Sequence, residues 1–393
     1  MVLKGIRVLD LSTLIAGPYC AMILGEMGAE VIKVEHPRGG DPTRDMGPPS
    51  VKDQSAVTLS VNRNKKSLTL DLSKEKGKEI FFFLLREAQV VVENFRPDIV
   101  ESMGLDYETL RQDRPDLVYC SITGFGENGP YRMKAGTDVI IQGIGGVMTV
   151  SGEPSDPPIR VGFTVADMGT GIYAALGIMM ALYQRAQTGR GQKVEISLLD
   201  SLIALQSPRV MEYFITGENP VRTGRCSPLG APIKFFETRD GYINLAVFLD
   251  KFWKRLCQTL EIEHLIDDPR YASNGDRREN REELENLLGE IFRRRTTAEW
   301  REILEKTDIP HGPVNTFKDV FQDPQVQYNR VAVEIDHKIL GPWPYVNLPF
   351  HLTDTPGRPR CAPPMLGEHT GEILAALGFK ENEIAGLRKE RVI

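Results

Sequence analysis

The first third of the chain alternates short apolar runs with amphipathic segments, which predicts strands and helices in turn. The predicted strands read IRVLDL, EVIKVE, SLTLDL, VVVENF and LVYCSI, and helices are predicted near residues 19–26 and 76–87. Strand and helix in regular alternation are typical of βαβ units, whose strands pair in parallel under helices on both faces. We therefore expect an α/β fold built on a doubly wound parallel sheet.

A helical pattern follows between residues 166 and 188. Apolar positions recur every three or four residues and form one continuous stripe: Ile172, Leu176, Met179, Met180 and Tyr183. Gly189 and Gly191 end this helix, and the pattern then predicts a strand over 193–196 and a helix over 198–205. Asp167 therefore opens a buried α/β unit, where backbone N–H groups and the helix dipole favour its ionised form.

The local pattern leaves two interpretations of Asp167 open. Aspartate is among the preferred N-cap residues, so the side chain could simply cap the helix. A position that stabilises negative charge also suits a carboxylate nucleophile or base. Capping and catalysis are compatible, and the rest of the sequence has to decide between them.

The second half has a different pattern. Residues 124–165 are rich in Gly and Pro and are expected to form long functional loops. A hairpin is predicted over 232–247, and helices over 250–260, 280–292 and 297–306, as in a smaller α+β domain. The end of the chain has seven prolines between Pro342 and Pro364 and one short helix over 370–377, and it should pack on the first domain.

Composition excludes several classes of protein. The 393 residues are 41% hydrophobic and 26% charged, as in soluble globular proteins, and the net charge of -6 disfavours nucleic-acid binding. Five scattered cysteines without a CxxC pair predict neither disulfides nor a zinc site, and six histidines without HExxH predict no metal. No signal peptide is visible, and the most apolar stretch, 172–183, is too short to span a bilayer. We expect a cytoplasmic protein with no membrane or nucleic-acid partner.

Motifs for other chemistries are missing. The first βα turn reads LSTLIAG and lacks GxGxxG, and no GxxxxGK[ST] or GxSxG occurs. These absences disfavour dinucleotide binding, a P-loop and a serine nucleophile. Carboxylate chemistry and an anion site of scattered basic residues remain.

Several segments together resemble one family. They are GIRVLDLSTLIAGPYCAMILGEMGAEVIKVEHP, SVNRNKKSLTLDL, VVENFRPDIVESMGLDYETL, SITGFGENGPY, AGTDVIIQGIGG, the Asp167 segment with TGRGQ, and APPMLGEHTGEIL. In collinear order they are similar to class III (family III) CoA-transferases of the CaiB/BaiF type, which include formyl-CoA and succinyl-CoA transferases and 2-methylacyl-CoA racemases.

The resemblance implies an architecture. A large Rossmann-like CoA-binding domain is expected from residues 1–207 and 331–393, a small α+β domain from 226–330, and a linker from 208–225. Two ring-like subunits are expected to interlock as a homodimer.

The resemblance also implies a reaction. Asp167 matches the family nucleophile, which takes coenzyme A from a donor acyl-CoA, such as succinyl-CoA, and passes it to a carboxylic acid through an aspartyl mixed anhydride and an aspartyl-CoA thioester. Acyl-CoA is then a substrate, and no permanently bound cofactor is expected. Asp138 is expected in the active site, with a loop cap as its alternative role.

Binding residues for coenzyme A follow from the same resemblance. The matching positions are Ile15, Ala16, Leu70, Asn94, Phe95, Arg96, Gly136 and Thr137. His36 and Ser102 stand where the family often has arginine, so the phosphates are expected to bind Arg38, Arg96, Lys65 or Lys134, with His36 bonding a phosphate or stacking on adenine. Each of these basic residues is also an ordinary surface side chain in the alternative interpretation.

A racemase is one alternative within the family, and a non-catalytic CoA-binding or structural homologue is a second class of alternative. Racemisation needs two acid/base groups on opposite faces of the α-carbon, and racemases have histidine where this chain has Thr137. Transfer is therefore favoured. Oxalate is disfavoured as acceptor because residues 247–250 read VFLD instead of a glycine run, which suits a larger or more apolar acid.

Overall fold

The computed structural model describes residues 1–47 and 49–393. Its strands are β1 (Arg7–Asp10), β2 (Glu30–Glu35), β3 (Ser50–Val51), β4 (Gln54–Ser55), β5 (Lys65–Thr69), β6 (Val90–Glu93), β7 (Val118–Thr123), β8 (Lys193–Ser197), β9 (Ile233–Glu237), β10 (Tyr242–Ala246), β11 (His311–Pro313), β12 (Ala332–His337) and β13 (Gly341–Val346).

Its α-helices are α1 (Ala16–Glu26), α2 (Ala56–Val61), α3 (Glu75–Leu85), α4 (Pro97–Met103), α5 (Tyr107–Asp113), α6 (Asp138–Ile144), α7 (Val147–Val150), α8 (Val165–Thr188), α9 (Leu198–Leu205), α10 (Ser207–Thr216), α11 (Asp250–Leu260), α12 (Asn274–Glu279), α13 (Arg281–Phe292), α14 (Thr297–Leu304), α15 (Phe317–Gln322), α16 (Pro324–Tyr328), α17 (Thr370–Ala376) and α18 (Glu381–Lys389).

Six strands form one parallel sheet in the order β5-β2-β1-β6-β7-β8. From β1 the chain builds outward first on one side and then on the other, which is a doubly wound order. β6 and β7 are buried along their whole length, as their apolar runs predict. The α/β class and the parallel sheet are therefore confirmed, and ligands in such sheets bind beyond the carboxyl ends of the strands.

The C-terminal helices complete the core beside this sheet. Leu374 of α17 and Leu387 of α18 belong to the same buried cluster as Leu9 of β1 and Phe81 of α3. Thr370 also accepts a hydrogen bond from the Thr69 amide at 3.0 Å. The end of the chain therefore packs on the first sheet, which is the placement that its lack of long periodic segments implied.

The chain divides into two compact units. One comprises 1–147, 161–212 and 327–393, and the other comprises 148–160 and 213–326. The second unit holds the antiparallel sheet β11-β10-β9 and a core that includes Trp253, Phe292 and Trp300. Two details differ from the sequence prediction. Residues 148–160 belong to the second unit, and helix α10 occupies much of the predicted linker 208–225.

Helix α8 buries a different face from the one predicted. Its small residues face inward, and a Cβ built on Gly171 would lie 2.8 Å from the Ala16 carbonyl of α1. The apolar stripe points outward instead, with Ile172 53% and Tyr183 69% exposed. The expectation that this stripe is buried within the chain is wrong, because close approach of α1 to α8 requires the small side chains at that contact.

The length of α8 also exceeds the apolar stretch considered in the sequence. Over 24 residues the helix is long and apolar enough to cross a membrane by length and composition. Its small-residue face, however, packs against α1, β7 and β8. We interpret α8 as a core helix that carries an uncovered apolar face.

Candidate active site

A cavity of about 220 Å³ lies beyond the carboxyl ends of β1, β6 and β7, at the start of α8. It brings together many of the residues that the resemblance selects: Ile15, Ala16, Asn94, Phe95, Arg96, Lys134, Gly136, Thr137, Asp138 and Asp167. These residues come from four separate segments of the chain. The sheet edge therefore assembles them, as expected for a ligand site in a doubly wound fold.

The first turn of α8 is capped by Asp138 and not by Asp167. The N-cap residue is Thr164, which makes no side-chain cap hydrogen bond. Asp138 Oδ1 accepts hydrogen bonds from the amides of Ala166 and Asp167, at 2.8 and 3.3 Å. The interpretation of Asp167 as an N-cap is therefore wrong, and its carboxylate is left to face the cavity. The capping role that the sequence weighed for Asp138 is real, although the helix it caps is α8.

Burial and a like charge raise the pKa of Asp167 to about 7. Desolvation is the larger cause, and the negative charge of Asp138 is the second. The sequence instead favoured ionisation, because the first-turn N–H groups were expected to serve Asp167. The structure gives those donors to Asp138, which leaves burial and the Asp138 charge to raise the Asp167 pKa.

Hydrogen bonds with the side chains of Asn94 and Asp41 fix the loop that leads to Ile15 and Ala16. The Asn94 side chain accepts from the Thr13 amide at 2.8 Å and donates to the Thr13 carbonyl at 2.7 Å. Asp41 accepts from the amide of Leu14, whose φ of 65° is left-handed and strained for leucine. The Asn94 side chain is thus engaged with the loop, so here it orders the cavity wall.

Three cations line the cavity. Arg132 pairs with Glu101 at 3.0 Å, and Arg96 lies 3.4 Å from Asp98. The Lys134 ammonium lies 3.6 Å above the Tyr131 ring, and it has no carboxylate partner in the part of the chain that the structure describes. These groups supply the local positive charge that an anionic ligand needs in a protein of net negative charge.

A second cavity of about 250 Å³ adjoins the first, since Thr13 and Phe95 line both. His36 and Leu70 lie in this second cavity. His36 is exposed and its Nδ1 accepts from the Arg38 amide at 3.0 Å. Arg38 lines neither cavity and stands on the exposed turn next to it.

Lys65 is not available for phosphate binding. Its side chain is fully buried, and its ammonium lies 2.8 Å from Asp10 Oδ2. It also donates to the Pro18 carbonyl and to Asn62. The prediction that Lys65 could hold a phosphate is wrong, because the strand alternation that places it inside also commits its charge. Ser102 donates to the Ile99 carbonyl at 2.7 Å and lines neither cavity.

Behind the cavity, Glu93 at the end of β6 is buried, and burial raises its pKa to about 7. Its Oε2 accepts from the Phe95 amide at 2.8 Å, so it orders the segment that lines the cavity. Gly136 lies against Gly124, where a Cβ on either glycine would meet the other's backbone. Among residues 1–47 and 49–393, no group of three or more His, Cys, Asp or Glu side chains could hold a metal ion.

Sequence reasoning missed three residues of this site. Arg132 lines the cavity, Asp41 holds the loop at Leu14, and Gln142 donates to Asp138. The spacing of Asp138 and Gln142, four residues apart on one helix face, was a usable signal. It was overlooked because the surrounding glycines predicted a loop where α6 forms.

The chain belongs to the CoA-transferase family III, whose family model matches residues 3–370. It is an enzyme of that family, and CoA-transferases use CoA thioesters as substrates.

The chain matches named CoA-transferases over nearly their full length. The chain is 40% identical over 386 residues to the succinate–glutarate CoA-transferase of Agrobacterium fabrum, covering 95% of each chain. It is 38% identical over 397 residues to the human succinyl-CoA:glutarate CoA-transferase, covering 100% of this chain and 90% of the relative. A solved CAIB/BAIF family protein from Brucella suis superimposes with a TM-score of 0.86 at 38% identity, over 95% of this chain and 99% of that one.

Proposed function

We propose that this enzyme moves coenzyme A from succinyl-CoA to a small dicarboxylic acid such as glutarate, with Asp167 as the nucleophile. One observation carries the proposal. Asp167 is a partly buried carboxylate that faces a cavity at the edge of a parallel sheet, and no lysine or arginine is paired with it among the described residues. The names of the relatives supply the donor and acceptor class.

The reaction consists of four acyl exchanges. An Asp167 oxygen attacks the donor thioester carbonyl, the C–S bond breaks, and a mixed anhydride and CoA thiolate result. The thiolate attacks the Asp167 carbonyl carbon, which gives an aspartyl-CoA thioester and the free donor carboxylate. The acceptor carboxylate then attacks this thioester and releases thiolate again. Finally the thiolate attacks the acceptor carbonyl, which forms the new acyl-CoA and restores Asp167.

Each group in the cavity has a part in this scheme. Burial strips water from the Asp167 carboxylate and would shield the anhydride from hydrolysis. Asp138 fixes the first turn of α8 by accepting from two of its amides. Lys134, Arg132 and Arg96 offer positive charge to the anionic substrates. No exchange requires a net proton, and each replaces one activated acyl bond by another.

The racemase alternative is not favoured. Proton exchange at an α-carbon needs a second acid/base group opposite the first. Thr137 lines the cavity at the position where racemases have histidine, and a threonine hydroxyl is no base near neutral pH. The named relatives are transferases.

The proposal is tested with purified enzyme, succinyl-CoA and a panel of dicarboxylic and monocarboxylic acids, scored by mass spectrometry for new CoA thioesters. We expect glutaryl-CoA, with dicarboxylates outperforming monocarboxylates. The absence of any new thioester, together with deuterium uptake at the α-carbon of a 2-methylacyl-CoA in heavy water, would overturn it.

We further infer that the enzyme works as the interlocked homodimer that the family resemblance implies. Ile172, Leu176 and Met179 of the α8 stripe line an apolar cavity of about 390 Å³, while Met180 and Tyr183 are exposed beyond it. Helix α10 buries none of its residues. Apolar faces of this kind in soluble proteins mark interfaces. Sedimentation should give twice the mass of one chain, and Met180→Glu should shift the protein toward the monomer.

A further inference from the structure

Gln142 connects three parts of the nucleophile's surroundings. Its Nε2 donates to Asp138 Oδ2 at 2.6 Å, and its Oε1 accepts from the Val161 amide at 2.8 Å. The same Nε2 also lies 3.4 Å from the Phe163 carbonyl. The side chain is completely buried. It therefore joins α6 to the segment that leads directly into α8.

The orientation of the amide is determined by its partners. Oε1 faces an N–H group and Nε2 faces a carboxylate. Turning the amide over would place its oxygen against the Asp138 carboxylate and its NH₂ group against the Val161 N–H, losing both bonds. Only glutamine in this orientation donates to the carboxylate and accepts from the amide at once.

We propose that Gln142 is a positioning residue for CoA transfer, which holds Asp138 against the first turn of α8 and holds the 161–163 segment that delivers Asp167. The inference rests on the proposed function. Gln142 acts through Asp138, whose second oxygen accepts from the Ala166 and Asp167 amides. A shift of either segment would move the Asp167 carboxylate relative to the bound thioester.

The charged groups around this amide define its electrostatic role. Asp167 on α8 and Asp138 on α6 are the carboxylates beside it, and Arg96, Arg132 and Lys134 line the same cavity from two other segments. Helix α9, which also packs on α6, carries one charged residue, Asp200, and its side chain is exposed. The Gln142 N–H therefore stabilises an anion that no cation pairs with among the described residues.

Two substitutions at this position separate positioning from packing. Gln142→Met keeps a similar volume and removes both hydrogen bonds. Asp138 then loses the donor that fixes its carboxylate, and the Val161 amide loses its acceptor, so the first turn of α8 is held less firmly. Gln142→Glu keeps the acceptor for Val161 but places a carboxyl beside Asp138, and two adjacent carboxyl groups cannot both ionise without a large cost.

The experiment measures kcat and KM for succinyl-CoA from about pH 5 to 9, together with hydrogen exchange of the 161–167 amides. Gln258→Glu is the control, since Gln258 is an exposed glutamine on α11, outside the cavity that holds Asp138. For Gln142→Met we expect kcat to fall by about 10- to 100-fold with little change in KM, and faster exchange of these amides. For Gln142→Glu we expect an added descending limb at alkaline pH. The control should keep the wild-type profile.

The outcomes distinguish this inference from the proposed function. If the wild-type enzyme transfers CoA and the Gln142 variants match Gln258→Glu in kcat, pH profile and amide exchange, the positioning role alone is overturned. Absence of transfer by the wild-type enzyme would overturn the proposed function and the positioning role together.

Discussion

Near the end of β1 and at the start of α8, the same unit holds two pairs of carboxylates in opposite electrostatic environments. Asp10 and Asp41 each lie 2.8 Å from a lysine ammonium, those of Lys65 and Lys33. Asp138 and Asp167 lie side by side with no lysine or arginine paired to either in residues 1–47 and 49–393. Burial alone would raise the pKa of Asp10, but the charges of Lys65 and Lys33 outweigh it and lower the pKa. The pKa of Asp167 rises to about 7.

We interpret the paired carboxylates as structural and the unpaired ones as suited to the proposed chemistry. A paired, buried carboxylate is held in its ionised form, and its oxygens are already engaged by the cation and not free to attack a substrate. An unpaired one is costly to bury and is retained where chemistry needs it. The β1 network supports the loop that lines the cavity, through Asp41 and Leu14, while the α8 pair faces the cavity itself.

The largest effect expected is on activity at Asp167. Asp167→Asn keeps the size of the side chain and removes the nucleophilic oxygen, so kcat for glutaryl-CoA formation should fall by about 10⁴-fold or more. The matched control is Asp200→Asn, which alters an exposed carboxylate on the next helix and should retain wild-type turnover. Retained activity in Asp167→Asn would remove Asp167 from the mechanism.

Breaking the ion pair between Lys65 and Asp10 should lower the stability of the fold. Lys65→Met leaves Asp10 buried and short of a cation, which should lower the free energy of unfolding by about 3–5 kcal/mol. Lys66→Met is the control, since Lys66 is partly exposed and its pairs with Glu30 and Glu372 should contribute at most about 1 kcal/mol. Urea unfolding of both variants measures the two losses in the free energy of unfolding. Equal losses would contradict the structural role of the Lys65–Asp10 pair.

A smaller effect is expected from Asp138→Asn. Without the neighbouring charge, the pKa of Asp167 should fall, so the ascending limb of kcat/KM should move below pH 7. The amide also presents a donor to the Gln142 NH₂ group, so kcat should fall by about 10-fold or more. An unchanged limb in the pH profile would show that Asp138 does not act on Asp167 through charge.

The smallest effect expected is on thermal stability. Because the pKa of Asp167 is raised from 3.8 to about 7, the folded state of the wild-type enzyme loses stability as pH rises through this interval. Asp167→Asn has no such loss, so its Tm should exceed that of the wild type above about pH 7, and the difference should vanish below about pH 4. A Tm difference independent of pH would contradict the raised pKa.

Much of the fold was predictable because its signals are local. The strands β1, β2, β6 and β7 follow apolar runs, and α14 follows a capping box at Thr296 and Glu299. α6 was hidden because Gly143, Gly145 and Gly146 follow Asp138 closely and favour a loop. The face of α8 was misjudged because a small-residue contact with α1 has no hydrophobic signal.

For the site, the sequence predicts which residues come together but not which contacts they make. Motifs placed Asp167, Asp138 and the 94–96 segment, but which carboxylate takes the helix N–H groups depends on contacts between residues 28 positions apart or more. The commitment of Lys65 to Asp10 is likewise set by pairing between distant strands, 55 residues apart. Charge compensation is a tertiary property, so the sequence alone does not show which carboxylates stay unpaired.

The most direct test of the central claim is to trap the enzyme-bound thioester. The enzyme is mixed with succinyl-CoA without acceptor, digested, and its peptides are examined by mass spectrometry for covalently attached coenzyme A. The account predicts the adduct on the carboxyl group of Asp167, released when glutarate is added. An adduct on another residue, or none while transfer proceeds, would contradict it.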